Sequence, residues 1–247
     1  MSATQAGSGP ATAPHTPREI VPDLEALGLQ AFTTTRAAGT FGTGGSDPVS
    51  EVMSRWNALI AELRPVAPRF ATAGQVHGNR VVTHGGEWEG WLRVAAADGH
   101  LTTTPGTAFA VTIADCVPVF VAHPSGAIAL LHSGWRGTAA HITERAIVVL
   151  RSLGLAPSDL HLHLGPSICG DCYEVSPDVY AELTSRTVSS PTTVDLRSII
   201  ASHARSAGVR HITISPFCTR HHNELFFSHR AGDAGRQIAV IARGGGR

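Results

Sequence analysis

The chain has 247 residues, 43% of them hydrophobic and 15% charged, which is enough to bury one large core, and its 19 basic and 19 acidic side chains cancel. No basic block interleaves with aromatics, so the charge balance speaks against nucleic acid or a membrane surface as partner and for a small molecule. Every basic residue is arginine. This excludes a pyridoxal-phosphate Schiff base and a P-loop lysine, and leaves arginine or backbone N–H groups to hold any phosphate.

In chain order, residues 1–18 are rich in Ala, Thr, Gly, Pro and Ser and are predicted to be a disordered arm without the apolar stretch of a signal peptide. No run approaches the length of a membrane span, so a cytoplasmic, reducing compartment is expected. There Cys116, Cys169, Cys172 and Cys218 are expected as ligands, nucleophiles or core filler, not as disulfides. A strand is predicted at 29–34, and residues 50–63 carry Val52, Trp56, Leu59, Ile60 and Leu63 at helical spacing. Strands follow at 70–76, 80–83, 108–113, 117–122 and 127–131. Thr138 is predicted to cap a helix whose Ile142, Ala146, Val149 and Leu150 share a face, ending at Gly154 with Pro157 beyond. A strand at 160–164 comes next, then a helix opened by Ser176 and Pro177, then one from Asp195 to Gly208. Strands at 211–215, 225–228 and 237–242 complete the pattern, and GGGR at 244–247 reads as a flexible tail. Strands cluster centrally while helices alternate only towards the end. This predicts one α+β domain over 19–243, with mixed β-sheets covered by helices in layers, not a regular βαβ winding.

Three stretches place a metal-capable side chain at the end of a β-like run beside glycine or proline: QVHG with His77, ADCVP with Cys116 and HSGWRG with His132. Two imidazoles and a thiolate are donors that zinc prefers, and three protein ligands leave a tetrahedral ion one position for water or substrate. In HSGWRG, Gly134 and Gly137 are expected to allow a tight turn and close approach, Arg136 to point at an anion near the next helix N-terminus, and Trp135 to pack beneath the turn. Asp115 is positioned to accept a proton or orient a ligand histidine, and equally to cap a turn. CGDC, with Cys169 and Cys172, has no second CxxC and reads as structural or incidental. His161 and His163 alternate with leucines, as on the polar face of a strand. His221, His222 and His229 are candidates to line the site.

FTTTR at 32–36, QVHG at 75–78, ADCVPVF at 114–120, HSGWRGT at 132–138, GPSI…CYEV at 165–175 and FFSHR…GRQ at 226–237 together resemble the laccase-domain family. Its members are also labelled multicopper polyphenol oxidases, peptidoglycan editing factors and purine nucleoside phosphorylases. The resemblance implies zinc on His77, Cys116 and His132, with copper the less expected metal. It also implies phosphorolysis of adenosine, inosine, guanosine and methylthioadenosine, with adenosine deaminase activity alongside. Cys116, Asp115 and Arg136 would then be catalytic, Gln75, Arg36, Arg136, Arg230 and Arg236 would bind substrate or phosphate, and the protein would act as a monomer or homodimer. Two features depart from the family pattern: Cys169, and the turn AAGTFGTGGSDP where the family has a Ser-Leu-Asn-Leu stretch.

Three other readings use the same residues. Cys116 as nucleophile with His132 as base, or zinc on the same residues, would make an amidohydrolase, for which the family's peptidoglycan-editing label implies cell-wall precursors as substrates. A multicopper oxidase would need many paired histidines, and the chain supplies one HLH and, beyond Met1, only Met53 as a thioether. A zinc-stapled binding module would need Cys172 or His229 as a fourth ligand.

Overall fold

The computed structural model describes residues 16–245. Its strands run β1 Arg18–Ile20, β2 Leu29–Thr34, β3 Arg69–Ala73, β4 Val81–His84, β5 Gly90–Val94, β6 Gly99–Thr102, β7 Thr107–Ile113, β8 Val117–Ala122, β9 Ile128–Ser133, β10 His161–Leu164, β11 Glu174–Val175, β12 Thr192–Thr193, β13 His211–Ile214 and β14 Gln237–Arg243. The helices are α1 Pro22–Glu25, α2 Val49–Leu63, α3 Trp135–Ala139, α4 Ile142–Ser152, α5 Pro177–Thr184 and α6 Leu196–Ser206. Two mixed sheets form, one in the order β1-β2-β14-β7-β3-β5 and the other β13-β10-β8-β9-β6-β4, beside a small β11-β12 ribbon.

Burial explains why these segments settle as layers. Trp56, Leu59 and Leu63 of α2 pack with Phe32, Phe70 and Val240 on one face of the first sheet. Its other face, with Phe109, Val111 and Ile241, meets Phe120, Ile128 and Leu130 of the second sheet. The far face of the second sheet, with Val119, Leu131 and Leu162, receives Ile142, Ala146 and Leu150 of α4 and Ile200 and Ala204 of α6. The result is a four-layer α-β-β-α single domain. Strands β8 and β9 are buried throughout, which is why their sequences are continuous apolar runs and not alternating ones.

Several predicted elements are corrected. Residues 225–228 form no strand; Phe226 is buried in a loop, so its apolarity marked burial without β pairing. The strand predicted at 70–76 ends at Ala73, and the short β1, β5, β6, β11 and β12 and the single-turn α1 were not predicted. Of the expected arm, residues 1–15 lie outside the described residues, but Thr16 and Arg18 are already tied to Glu62 and Arg18 opens β1. Of the expected tail, 246–247 also lie outside. Thr138 caps nothing: it sits inside α3, where its hydroxyl meets that of Ser133 at 2.9 Å, and α4 starts after His141 in a left-handed conformation.

Three histidines are buried away from the cavity described below. His84 and His100 stack with Phe109 and are 3.0 Å apart, and His163 bonds Thr213. Burial, reinforced by the neighbouring His84, pushes His100 down to about 3; burial pushes His163 down to about 4 and also lowers His84. The unfolded chain therefore takes up protons below about pH 6.5 that the folded chain refuses. This stability is complete above pH 6.5 and is lost as pH falls, at up to ~1.4 kcal/mol per pH unit for each such histidine. Urea midpoints are expected to drop between pH 7 and pH 5, and H163Q to make the drop shallower; an unchanged slope in H163Q removes His163 from this account.

Candidate active site

The site is built at one end of adjacent strands. Cys116 immediately precedes β8, which pairs antiparallel with β9 so that Pro118 lies opposite His132 and Val117 opposite Ser133. β6 flanks β9 on its other side, and the residue preceding it, Asp98, accepts the His132 amide on its carbonyl at 2.7 Å. The third residue, His77, sits in the loop after β3 with a φ of +60°. One ligand atom each from His77, Cys116 and His132 lies within 4.8 Å of the others.

Asp98 holds this arrangement together. Its fully buried carboxylate accepts the amide N–H groups of His77 at 2.9 Å and Gly78 at 2.8 Å, with that of Val76 at 3.2 Å, and the His132 Nδ1 at 2.8 Å. An ionised carboxylate only accepts, so Nδ1 carries the proton and Nε2 is left for the Cys116 side. Burial opposes ionisation of Asp98, yet the hydrogen bonds from His132, Gly78 and Val76 hold its pKa below the ordinary carboxylate range. The same bonds stabilise the left-handed backbone at His77, a conformation costing roughly 1–2 kcal/mol for a side-chain-bearing residue.

Burial also opposes ionisation of Cys116, but the charge and hydrogen bond of His132, with help from His77, pull the thiol down to about 6. In return, against burial, Cys116 and Asp98 raise His132 to about 9. A thiolate thus faces two imidazoles, one of them anchored by a carboxylate. This is the donor chemistry and outer-shell support that a zinc site requires, and the residues present fit such an ion.

The glycines of HSGWRG have a packing reason. Neither Gly134 nor Gly137 has positive φ. A Cβ on Gly134 would stand 2.9 Å from the Cys116 sulfur and 3.4 Å from His77 Cδ2, and one on Gly137 would stand 3.0 Å from the Gly78 carbonyl oxygen. Both positions keep room for the two ligand-bearing loops. Trp135 is half-buried against the core beneath the turn, and the exposed Arg136 lies 4.3 Å over its ring.

Beside the three residues lies a cavity of about 590 Å³, within the usual range of small-molecule sites. Phe41, Met53, Trp56 and Trp91 form an apolar wall, with Trp56 and Trp91 stacked at 5.2 Å. Arg236 and His229 line it as well, as does Gln75, whose amide is already taken up by the backbone and hydroxyl of Thr112. Arg93, on the unpredicted β5, also lines the cavity; it is exposed, and its guanidinium has no hydrogen-bond or ion-pair partner among the described residues.

Other expected site residues lie elsewhere. Arg36 is bound to Asp233 at 2.7 Å and stacked over Phe227, Arg230 donates to the Glu174 carbonyl, and Arg136 covers Trp135; none is on the cavity lining. Asp115 does not orient a ligand histidine, because Thr219 Oγ1 at 2.6 Å and the Arg230 amide at 2.7 Å occupy its two oxygens. That role falls to Asp98, which sequence reasoning missed. Cys169 and Cys172 meet Cys218 and His221 in a second cluster, and His222 bonds Cys218.

A layered α+β scaffold brings one cysteine and two histidines together beside an aromatic cavity. The chain belongs to the family described as multi-copper polyphenol oxidoreductase laccase, whose model matches residues 33–244. It is 35% identical over 251 residues to a purine nucleoside phosphorylase of Deinococcus radiodurans, covering 93% of this chain and 94% of the relative. It superposes on the crystal structure of YlmD from Geobacillus stearothermophilus with a TM-score of 0.81 at 29% identity, covering 88% of this chain and 93% of that one. The fold is also that of the Bacillus licheniformis protein YfiH, with a TM-score of 0.84 at 23% identity and coverage of 93% and 97%. No helix among the described residues is long and apolar enough to cross a membrane.

Proposed function

We propose that the protein is a zinc-dependent purine nucleoside phosphorylase with an adenosine deaminase side activity. The observation that carries this reading is the convergence of His77, Cys116 and His132 at an aromatic cavity that also holds two guanidinium groups. The relatives named purine nucleoside phosphorylase support it.

Zinc would be held by His77, Cys116 and His132 and, when bound, supplies Lewis acidity and polarises an attacking water for deamination. The chain's own residues perform the rest. Trp56 and Trp91 offer the apolar wall against which a purine packs. Arg93 holds phosphate by planar, permanently charged donors, joined by the remaining donors of Arg236, whose Nη1 is already tied to the carbonyls of Asp233, Ala234 and Gly235. Phosphate oxygen then bonds to the ribose C1′ as the glycosidic C–N bond breaks, and the purine leaves with that bond's electrons. His229, on the lining and outside the metal trio, is placed to protonate it. The two arginines take over the anion role expected of Arg36, Arg136 and Arg230. The sets His77, Cys116 and His132, Cys169, Cys172, Cys218 and His221, and His141, Glu144 and His203 each offer at most two histidines, which falls short of the many paired histidines a multicopper oxidase needs.

Incubating the zinc-loaded protein with adenosine, with and without phosphate, tests the reading. Adenine and ribose 1-phosphate are expected only with phosphate, and inosine in both. Neither product from any common purine nucleoside would overturn it.

One observation favours a second reading: Cys116 lies beside His132, whose Nδ1 bonds Asp98 at 2.8 Å, the order of nucleophile, base and orienting carboxylate. As a cysteine hydrolase the protein would keep full activity in strong chelator and lose it rapidly to iodoacetamide.

A further inference from the structure

The sequence displays one CxxC, and the fold supplies its complement. Cys169 and Cys172 are three apart, as are Cys218 and His221. A parallel bridge between Ser167 and Cys218, with the Thr219 amide donating to the Ser167 carbonyl at 3.1 Å, lays the two segments side by side. Cys172 Sγ is then 3.1 Å from His221 Nε2 and Cys169 Sγ is 3.7 Å from His221 Nδ1. All four ligand atoms lie within 4.8 Å of one another. Zinc–sulfur bonds of about 2.3 Å in a tetrahedron put neighbouring donor atoms roughly 3.5–3.8 Å apart, so the cluster closes on an ion once the His221 ring turns a single nitrogen to the three sulfurs.

Cys169, Cys172 and Cys218 are free, with no disulfide among them. Cys218 Sγ accepts the Cys169 amide at 3.3 Å, a donor that suits a metal-bound thiolate. Apolar packing here is thin, since the local core is only Ile168, Cys172 and Cys218 with Cys169 and Tyr173 against it. Segments with so little to bury are the kind that a metal clip holds.

We propose that Cys169, Cys172, Cys218 and His221 form a second, closed zinc site of Cys3His type with a structural role. Its two segments grip the turn before Cys116: the Ile168 amide donates to the Asp115 carbonyl at 3.0 Å and Thr219 Oγ1 to the Asp115 carboxylate at 2.6 Å. Asp115 has a φ of +83°, so this turn is held by its neighbours and not by its own preference. The second ion fixes the platform from which Cys116 is presented.

The test counts zinc per chain in the full-length protein purified under reducing conditions, by elemental analysis, alongside C116S, C169S, H221A and C116S/H221A. Two ions are expected in the wild type, one in each single variant and none in the double. Because His221 is exposed and Cys169 half-buried, both variants are expected to fold, which near-UV circular dichroism checks. Cobalt-loaded C116S should show tetrahedral d–d bands and the strong thiolate charge-transfer absorption of three sulfurs; cobalt-loaded H221A should show that of one. A wild type with one ion, lost in C116S and retained in H221A, overturns the proposal, as does a non-reducing thiol count showing two of these cysteines oxidised. Loss of the first ion alone would count against the proposed active site and leave this one standing.

Discussion

Replacing Asp98 by Asn is expected to weaken zinc binding at the His77, Cys116 and His132 site by about 10- to 100-fold, the usual cost of removing an outer-shell partner. The geometry shows why an amide cannot substitute. Each carboxylate oxygen accepts two bonds, Oδ1 from the His77 amide and His132 Nδ1, Oδ2 from the Val76 and Gly78 amides, and the group is fully buried. An Asn must point its NH2 at one of these pairs of donors. Two donors, at least one of them only part-buried, then lose their acceptor, at no more than roughly 1–3 kcal/mol each, so the fold should lose up to about 2–6 kcal/mol as well. D98A leaves all four donors unpaired and should be worse on both counts. Competition with a chromophoric chelator measures the first effect and urea unfolding the second. D98N with wild-type zinc affinity and wild-type stability would remove Asp98 from its place at the centre of the site.

How far this site could be read from sequence depends on what each residue leaves in its neighbourhood. Cys116 and His132 end or begin apolar runs beside small turn residues, and the same local pattern drew attention to His77. Asp98 leaves no such trace. It sits in AAADGH, a polar strand edge without periodicity, and its ring partner is 34 residues away. Arg93 was invisible for a related reason: β5 is a short edge strand, parallel to β3, whose neighbours are half-exposed. The arginines that were visible stood in conspicuous motifs, but Arg36, Arg136 and Arg230 hold protein atoms instead of lining the cavity. Layering was legible because strands buried on both faces must be apolar throughout and helices covering them must be amphipathic. The strand expected at 225–228 shows the limit of that logic, since a buried loop phenylalanine looks the same in sequence. Likewise Cys169 and Cys172 read as structural or incidental because the residues that meet them stand 46 residues beyond Cys172, at Cys218 and on to His221.

Replacing Gly134 by Ala should abolish the site while sparing the fold. At φ −80° and ψ −177° the backbone is extended and accepts any L residue, so no conformational penalty attends the change. The new methyl group is the difficulty. It would stand 2.9 Å from the Cys116 sulfur, closer than real Cβ contacts come, and 3.4 Å from a carbon of the His77 ring. Overpacking of this kind costs about 1–3 kcal/mol, most of it relieved by moving the sulfur because Gly134 and β9 are buried and fixed. A displacement near 1 Å at a reacting group costs on the order of 100-fold in rate, and a thiolate pushed out of the ligand triangle takes the ion's affinity with it. Zinc content should therefore fall and phosphorolysis drop by roughly 100-fold or more, while the thermal midpoint shifts only by the modest overpacking cost. Gly137→Ala offers the comparison, because its Cβ would press at 3.0 Å on the Gly78 carbonyl, behind the His77 loop instead of against a donor atom. It should reduce activity less than Gly134→Ala at similar stability. If Gly134→Ala keeps its zinc and turns over within twofold of wild type, the glycines of this loop serve something other than the approach of Cys116 and His77.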